Sequence, residues 1–104
     1  MSVVEQLRSQ LDRLPGVVQG PSRVGSRSNP AWFVGRREFA HLHAEDRLDL
    51  RLPRAIQRTL RGDPRAHART GSSEWIELEF HTAHDIAHVL GLAREAWDAA
   101  RSRA

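Results

Sequence analysis

The segment 38–56, EFAHLHAEDRLDLRLPRAI, constrains the fold more than any other part of the chain, because apolar and polar residues alternate through most of it. Successive residues of a β-strand point to opposite faces of a sheet, so this alternation predicts two strands that each bury one face. The polar stretch between the two runs predicts the turn of a β-hairpin. Leu48, Leu50 and Leu52 then form the buried side of the second strand.

The register of this hairpin follows if Leu42 faces the same core as Leu48. A three-residue turn at 44–46 then pairs Leu42 with Leu48 and sets His41 opposite Asp49. The imidazole and the carboxylate consequently share the face directed away from the leucines. The residues predicted on that face are Phe39, His41, His43, Arg47, Asp49 and Arg51.

Local patterns predict the remaining elements. Ser2 and Glu5 form a capping box at the start of the first helix, and Thr82 caps the last helix. This order of elements predicts one α+β domain over residues 1–104, a two-layer sandwich with a mainly antiparallel sheet, both terminal helices on one face and the other face able to remain open. The predicted segments are helices at 3–14, 53–61 and 82–101, strands within 17–24 and at 31–34, 65–70 and 74–80, and a loop at 25–30 that could act as a flap.

Composition excludes several classes of protein. The chain has no cysteine, which rules out disulfide bonds, a thiolate nucleophile and Cys-ligated zinc. No run of about 18 apolar residues is present, and the first residues do not form a signal peptide, so we expect a cytoplasmic protein without a membrane span. Neither a nucleophile elbow nor a phosphate-binding glycine loop occurs, and the sequence predicts no cofactor.

All sixteen basic residues are arginine, and the isoelectric point is 11.2 although the formal net charge is only +3. Guanidinium groups bind phosphate through a planar fork, so nucleic acid is one candidate partner, with Trp32 or Trp75 available to stack a base. The arginines predicted to contact phosphate are those around the 25–30 loop, namely Arg23, Arg27, Arg36 and Arg37. The wide scatter of arginine from Arg8 to Arg103 favours the other interpretation, a general use of arginine in place of lysine.

The strongest chemical hypothesis is a site around His41 and Asp49. A carboxylate next to an imidazole orients the ring and holds it more basic, which suits a general base or a ligand. The alternative is that such pairs only keep a half-exposed sheet face soluble. If the two hairpins are neighbours in one sheet, the site has His41 and Asp49 as catalytic residues and Arg36, His43, Arg51 and Trp75 as ligand-binding residues, with either Arg36 or Arg51 as an anion anchor and Trp75 as a stacking wall.

A second histidine pattern, His84 and His88 with Asp85 between them, has the spacing of a zinc-binding helix. Asp85 has a shorter reach than the usual glutamate, and Arg94 occupies the position where the longer motif has a third histidine. The apolar stripe of this helix also places both histidines on its solvent side. The pattern therefore predicts a surface pair, and the sequence predicts no metal site.

Several motifs together resemble the small bacterial luciferase-domain ("luciferase family") proteins over residues 30–98. The motifs are GRREFAHLH, DLRLPR, a helix that ends at glycine, SSEWIELEF and a closing helix, and the matching positions are Gly35, Arg36, His41, His43, Asp49, Leu52, Pro53 and Trp75. The resemblance implies a fold but no established light-emitting or oxygenase activity. The strand order is also similar to that of YjbR-like proteins, whose fold has been linked with DNA binding.

The expected function is therefore the binding of a small organic ligand at the face that carries His41, Asp49 and Trp75, or under the 25–30 loop. The alternative is a nucleic-acid or protein interaction module that uses an arginine-rich open face. The sequence does not decide whether the protein is an enzyme.

Overall fold

A computed structural model describes residues 1–68 and 73–103. Its elements in chain order are α1 (Val3–Asp12), β1 (Val17–Pro21), β2 (Pro30–Val34), β3 (Arg37–Ala44), β4 (Arg47–Arg51), α2 (Arg54–Thr59), β5 (Ala66–Ala68), β6 (Trp75–Glu79) and α3 (Ala83–Arg103). The predicted edge strand at 65–70 corresponds to β5, and its last two positions lie outside the described residues, as does most of the predicted turn at 71–73.

The six strands form one antiparallel sheet in the order β1-β2-β3-β4-β6-β5. The helix α3 packs against β2, β3 and β4, and α1 packs against both α3 and β1. The predicted α+β fold with the two terminal helices against the sheet is confirmed. No helix within the described part of the chain is long and apolar enough to cross a membrane.

The terminal helices form where their caps and apolar stripes predict. The Ser2 hydroxyl accepts a hydrogen bond from the Glu5 N–H at 3.1 Å, and the Thr82 hydroxyl accepts one from the Asp85 N–H at 3.2 Å. Leu7 and Leu11 of α1 are completely buried. The buried stripe of α3 consists of Ile86, Val89, Ala93, Ala96 and Ala100. Burial of these side chains holds both helices on the sheet.

The predicted hairpin register is confirmed. In the β3–β4 pair, His41 lies opposite Asp49 and Leu42 lies opposite Leu48. The next pair, β4–β6, sets Asp49 opposite Glu77 and extends the polar face of the hairpin onto β6. The two hairpins are therefore neighbours in one sheet, as the site hypothesis requires.

The prediction for Phe39 is wrong. Phe33 pairs with Glu38 and Trp32 pairs with Ala40, so β3 has one residue more than β2 at this point and forms a β-bulge at Phe39. The extra residue reverses the alternation, and Phe39 packs completely buried in the apolar core instead of on the polar face. The same bulge turns Glu38 to the face of His41.

The predicted three-residue turn at 44–46 is also wrong. Ala44 pairs with Arg47, which leaves a two-residue turn, and a second irregularity in β3 at His43 accommodates the odd number of residues. The helix α2 is shorter than the predicted 53–61, and Ala55 in its first turn is exposed. Leu60, which follows the helix, packs in the core.

Candidate functional site

Three buried titratable side chains lie in a row on the sheet face opposite the leucines. Glu38 Oε2 lies 2.9 Å from His41 Nδ1, and His41 Nε2 lies 2.8 Å from Asp49 Oδ2. Glu38, His41 and Asp49 are 3%, 4% and 0% exposed, so solvent does not screen these contacts. The register brings Asp49 to the imidazole from β4, and the bulge at Phe39 brings Glu38 to it from within β3.

The number of protons that Glu38, His41 and Asp49 share limits the ability of His41 to exchange a proton with a ligand. A neutral imidazole has one N–H and one acceptor nitrogen, whereas an ionised carboxylate only accepts. Two short imidazole–carboxylate contacts therefore need two protons shared among Glu38, His41 and Asp49. Because both ring nitrogens are occupied, His41 presents its ring surface, and proton transfer to a ligand would require the release of one carboxylate.

The segment 22–25 folds over this row and is anchored to Glu38. The Ser22 hydroxyl donates to Glu38 Oε2 at 2.7 Å, and the backbone N–H groups of Arg23 and Val24 donate to Oε1 at 2.7 and 3.3 Å. The Gly25 N–H donates to the Ser22 hydroxyl at 2.8 Å. This sheet face, which the sequence suggested could remain open, is thus covered at His41. The covering segment overlaps the predicted 25–30 flap only at Gly25.

A small cavity lies between this segment and β6; we call it the His–Trp cavity. Its volume is about 190 Å³, and Val24, Gly25, His41, Ser73 and Trp75 line it. The rings of His41 and Trp75 are 4.8 Å apart with 43° between their planes. Asp49 does not line the cavity, because it lies behind the imidazole and is completely buried. An engineered apolar cavity of about 150 Å³ accommodates benzene, so this space suits one small ring.

A larger depression, the arginine pocket, adjoins the His–Trp cavity. Its volume is about 460 Å³, and both spaces share Val24 as a wall. Arg36 and Arg51, the two predicted anion anchors, both line it. The complete lining consists of Arg23, Val24, Gly35, Arg36, Arg37, Glu38, Arg51 and Arg103.

Glu74 is surrounded by guanidinium groups at the edge of the arginine pocket. Its carboxylate lies 3.8 Å from Arg37, 3.5 Å from Arg51 and 3.7 Å from Arg103. Partial burial lowers the pKa of Arg37, and the charges of Arg51 and Arg103 lower that pKa further, while Glu74 opposes the shift. Positive charge is therefore crowded here despite the carboxylate.

His43 belongs to a separate group on the far side of Asp49. Its Nδ1 lies 3.2 Å from Glu77 Oε2 and 3.7 Å from Asp49 Oδ2, and Arg47 donates to Glu77 Oε1 at 3.0 Å. His43, Asp49 and Glu77 each have one ligand atom within 4.8 Å of the others, a set that could hold a metal ion. His43 lines neither the His–Trp cavity nor the arginine pocket.

The histidines of α3 lie apart from both spaces. His84 is exposed, and His88 Nε2 lies 2.8 Å from Asp63. The surface placement predicted from the apolar stripe therefore holds for His84, whereas His88 is half-buried.

The site residues that sequence reasoning missed include Ser22, Glu38, Glu74 and Arg103. Glu38 was missed because a regular strand would direct it away from His41. Glu74 and Arg103 gave no signal, since their contact depends on where the end of α3 crosses the sheet. An acidic residue three positions before a strand histidine is the pattern that could have suggested Glu38, given a bulge between them.

Comparison with known proteins identifies a family. The model of the Luciferase domain matches residues 36–96, more than half of the chain and the part that contains the hairpin, β6 and most of α3. No curated protein and no solved structure matches this sequence, so the likeness to YjbR-like proteins stays a prediction. The chain belongs to the Luciferase domain family.

Proposed function

We propose that this protein binds a small organic ligand in the His–Trp cavity, with a planar part of the ligand against Trp75 and His41. The observation that carries the proposal is a concave space of about 190 Å³ that is lined by both His41 and Trp75, whose rings contact each other with 4.8 Å between their centroids. Trp75 is large and flat, and a partly exposed aromatic ring in a concave site often marks a binding surface.

The walls of the cavity are held in place before any ligand arrives. Carboxylates on both sides fix the plane of the His41 ring, and Glu38 fixes the 22–25 segment through three hydrogen bonds. A rigid site avoids the entropic cost of ordering its own side chains on binding. This rigidity supports a role for the buried row in recognition.

The buried row also contains a group that can act in acid–base catalysis. If the bound ligand is turned over, His41 is the group that would exchange a proton with it, and Asp49 is the carboxylate that would orient the imidazole. This step needs either Glu38 or Asp49 to release its ring nitrogen. The proposed function is therefore ligand binding. In a reaction of the bound ligand, His41 would transfer the proton and Asp49 would orient the imidazole.

A nucleic-acid or protein interaction module is the second candidate, and the arginine pocket is the observation in its favour. The pocket is concave, which suits a small anionic group better than the broad contact that a nucleic-acid backbone makes. We therefore rank ligand binding first.

The proposal is tested by thermal-shift screening against flavins, aldehydes, metals, aromatic acids and oligonucleotides, followed by titration of each stabilising compound. Substitution Trp75→Phe removes part of the stacking surface and should weaken binding about fivefold, which corresponds to about 1 kcal/mol. The matched control is Trp97→Phe, because Trp97 lies on α3 and lines neither space. Equal affinities of the two variants for every compound that binds would refute the proposal.

A further inference from the structure

The arginine pocket contains more positive charge than its carboxylates balance. Five guanidinium groups line it, and Glu38 is the acidic residue in the lining. The Glu38 oxygens already accept hydrogen bonds from Ser22 and from the backbone of Arg23 and Val24, and one of them contacts His41. Glu38 is therefore committed to the buried row and its covering segment.

Glu74 does not satisfy the arginines that surround it. Its distances to Arg37, Arg51 and Arg103 are 3.5 to 3.8 Å, whereas charge-assisted hydrogen bonds are about 2.7–2.9 Å long. Among residues 1–68 and 73–103, the ion pairs of these three arginines all go to this one carboxylate. Arg51 Nε is buried and has no hydrogen-bond partner in that part of the chain. Because none of the three arginines has a carboxylate at charge-assisted hydrogen-bond distance in that part of the chain, an incoming oxyanion would supply a closer acceptor than Glu74 does.

We infer that the arginine pocket binds an oxyanion, the phosphate or carboxylate group of the organic ligand whose planar part lies in the His–Trp cavity. This inference rests on the proposed function, because it assigns the chemical class of the same ligand. Val24 lines both spaces, so they adjoin closely enough for one molecule to reach into both. The guanidinium fork matches the two oxygens of a carboxylate or phosphate, and Arg37, Arg51 and Arg103 approach the group from three different elements.

The test compares five probes by isothermal titration and NMR: phenyl phosphate, benzoate, benzyl alcohol, inorganic phosphate and a single-stranded oligonucleotide. The two aromatic anions should bind at least about tenfold more tightly than benzyl alcohol, since charge-assisted hydrogen bonds add to the stacking. The better of the two anions identifies the ligand as a phosphate or a carboxylate.

Variants of the pocket make the test specific. Arg51→Gln should weaken both aromatic anions about tenfold and leave benzyl alcohol unchanged. Glu74→Gln should strengthen the anions, because it removes the carboxylate that competes for the same donors. Arg94→Gln changes the net charge as Arg51→Gln does but lies on an exposed part of α3, so it should leave every affinity unchanged. Thermal denaturation of each variant confirms that it is folded.

The outcomes separate the inference from the proposed function. If benzyl alcohol binds as tightly as the anions and Arg51→Gln changes nothing, the oxyanion inference fails while the ring-binding cavity stands. If inorganic phosphate binds with the same Arg51 dependence and the aromatic ring adds nothing, the proposed function fails while the pocket remains an oxyanion site. If a single-stranded oligonucleotide binds more tightly than phenyl phosphate through Arg51, the pocket is a nucleic-acid surface and the small-ligand inference is overturned.

Discussion

Glu38 is the residue on which the covered site depends most directly. Its two oxygens accept hydrogen bonds from three donors of the 22–25 segment and contact the His41 ring. A carboxylate can serve so many donors because each oxygen has two lone pairs and carries negative charge. One side chain thereby fixes both the imidazole and the segment that covers it.

Substitution Glu38→Gln should destabilise the protein by about 1–3 kcal/mol. Glutamine keeps the shape of glutamate, but its amide nitrogen cannot accept the hydrogen bonds that one carboxylate oxygen accepts. The free energy of unfolding in urea measures the loss. The control Glu95→Gln lies on the exposed side of α3 and should change stability by less than about 0.5 kcal/mol. Similar midpoints for the two variants would contradict this account of Glu38.

The two bulges in β3 explain which parts of the site could be predicted from the sequence. The leucine alternation of β4 and the resulting pairing of His41 with Asp49 follow from strand periodicity, and they are confirmed. Periodicity does not show where a strand gains an extra residue, so the reversal at Phe39 and the arrival of Glu38 beside His41 could not be predicted. An irregularity in one strand depends on the packing of its neighbour, since Phe39 gains burial in the core.

The 22–25 segment packs so closely on β3 that a side chain at Gly25 would be crowded. A Cβ atom on Gly25 would lie 3.1 Å from His41 Nε2 and 3.2 Å from the Ser22 hydroxyl oxygen. Both neighbours are buried and held by Glu38, so a shift of either would strain its hydrogen bond. An alanine at position 25 would therefore require small shifts of hydrogen-bonded groups.

Substitution Gly25→Ala should consequently cost about 1–3 kcal/mol, the usual range for overpacking a filled site. Thermal denaturation gives the change. Gly91→Ala is the control, because nothing lies within 4 Å of its Cβ position and it is in the middle of α3, where alanine should stabilise the helix by about 0.5–1 kcal/mol. Opposite signs for the two substitutions are expected, and stabilisation by both would show that the segment does not press on His41.

The whole molecule brings together charges that are far apart in the sequence. Arg37 begins β3, Arg51 ends β4, and Arg103 is at the end of α3, yet all three meet Glu74 in front of β6. The adjacency of β4 and β6 could be expected from two neighbouring hairpins. The arrival of Arg103 could not, because it depends on the length and direction of α3 across the sheet, which side-chain patterns do not specify. The arginine pocket is thus a property of the assembled fold.

This convergence makes part of the stability depend on salt. Substitution Glu74→Gln leaves three guanidinium groups without the carboxylate they share, and their mutual repulsion should lower the free energy of unfolding at low ionic strength. The loss should be no more than about 1 kcal/mol, because all four side chains are partly solvated and Arg103 is 58% exposed. Added sodium chloride should reduce this loss of stability, since the screening length falls to about 8 Å at physiological ionic strength and about 3 Å at 1 M.

Urea denaturation of the variant, the parent and Glu95→Gln at low and high salt measures this salt dependence. Only Glu74→Gln should regain stability relative to the parent as salt is added, because the repulsion comes from the arginines around Glu74 and not from the net charge of the chain. A deficit that stays constant with salt would mean that Glu74 acts through local packing and that the arginines are not electrostatically crowded.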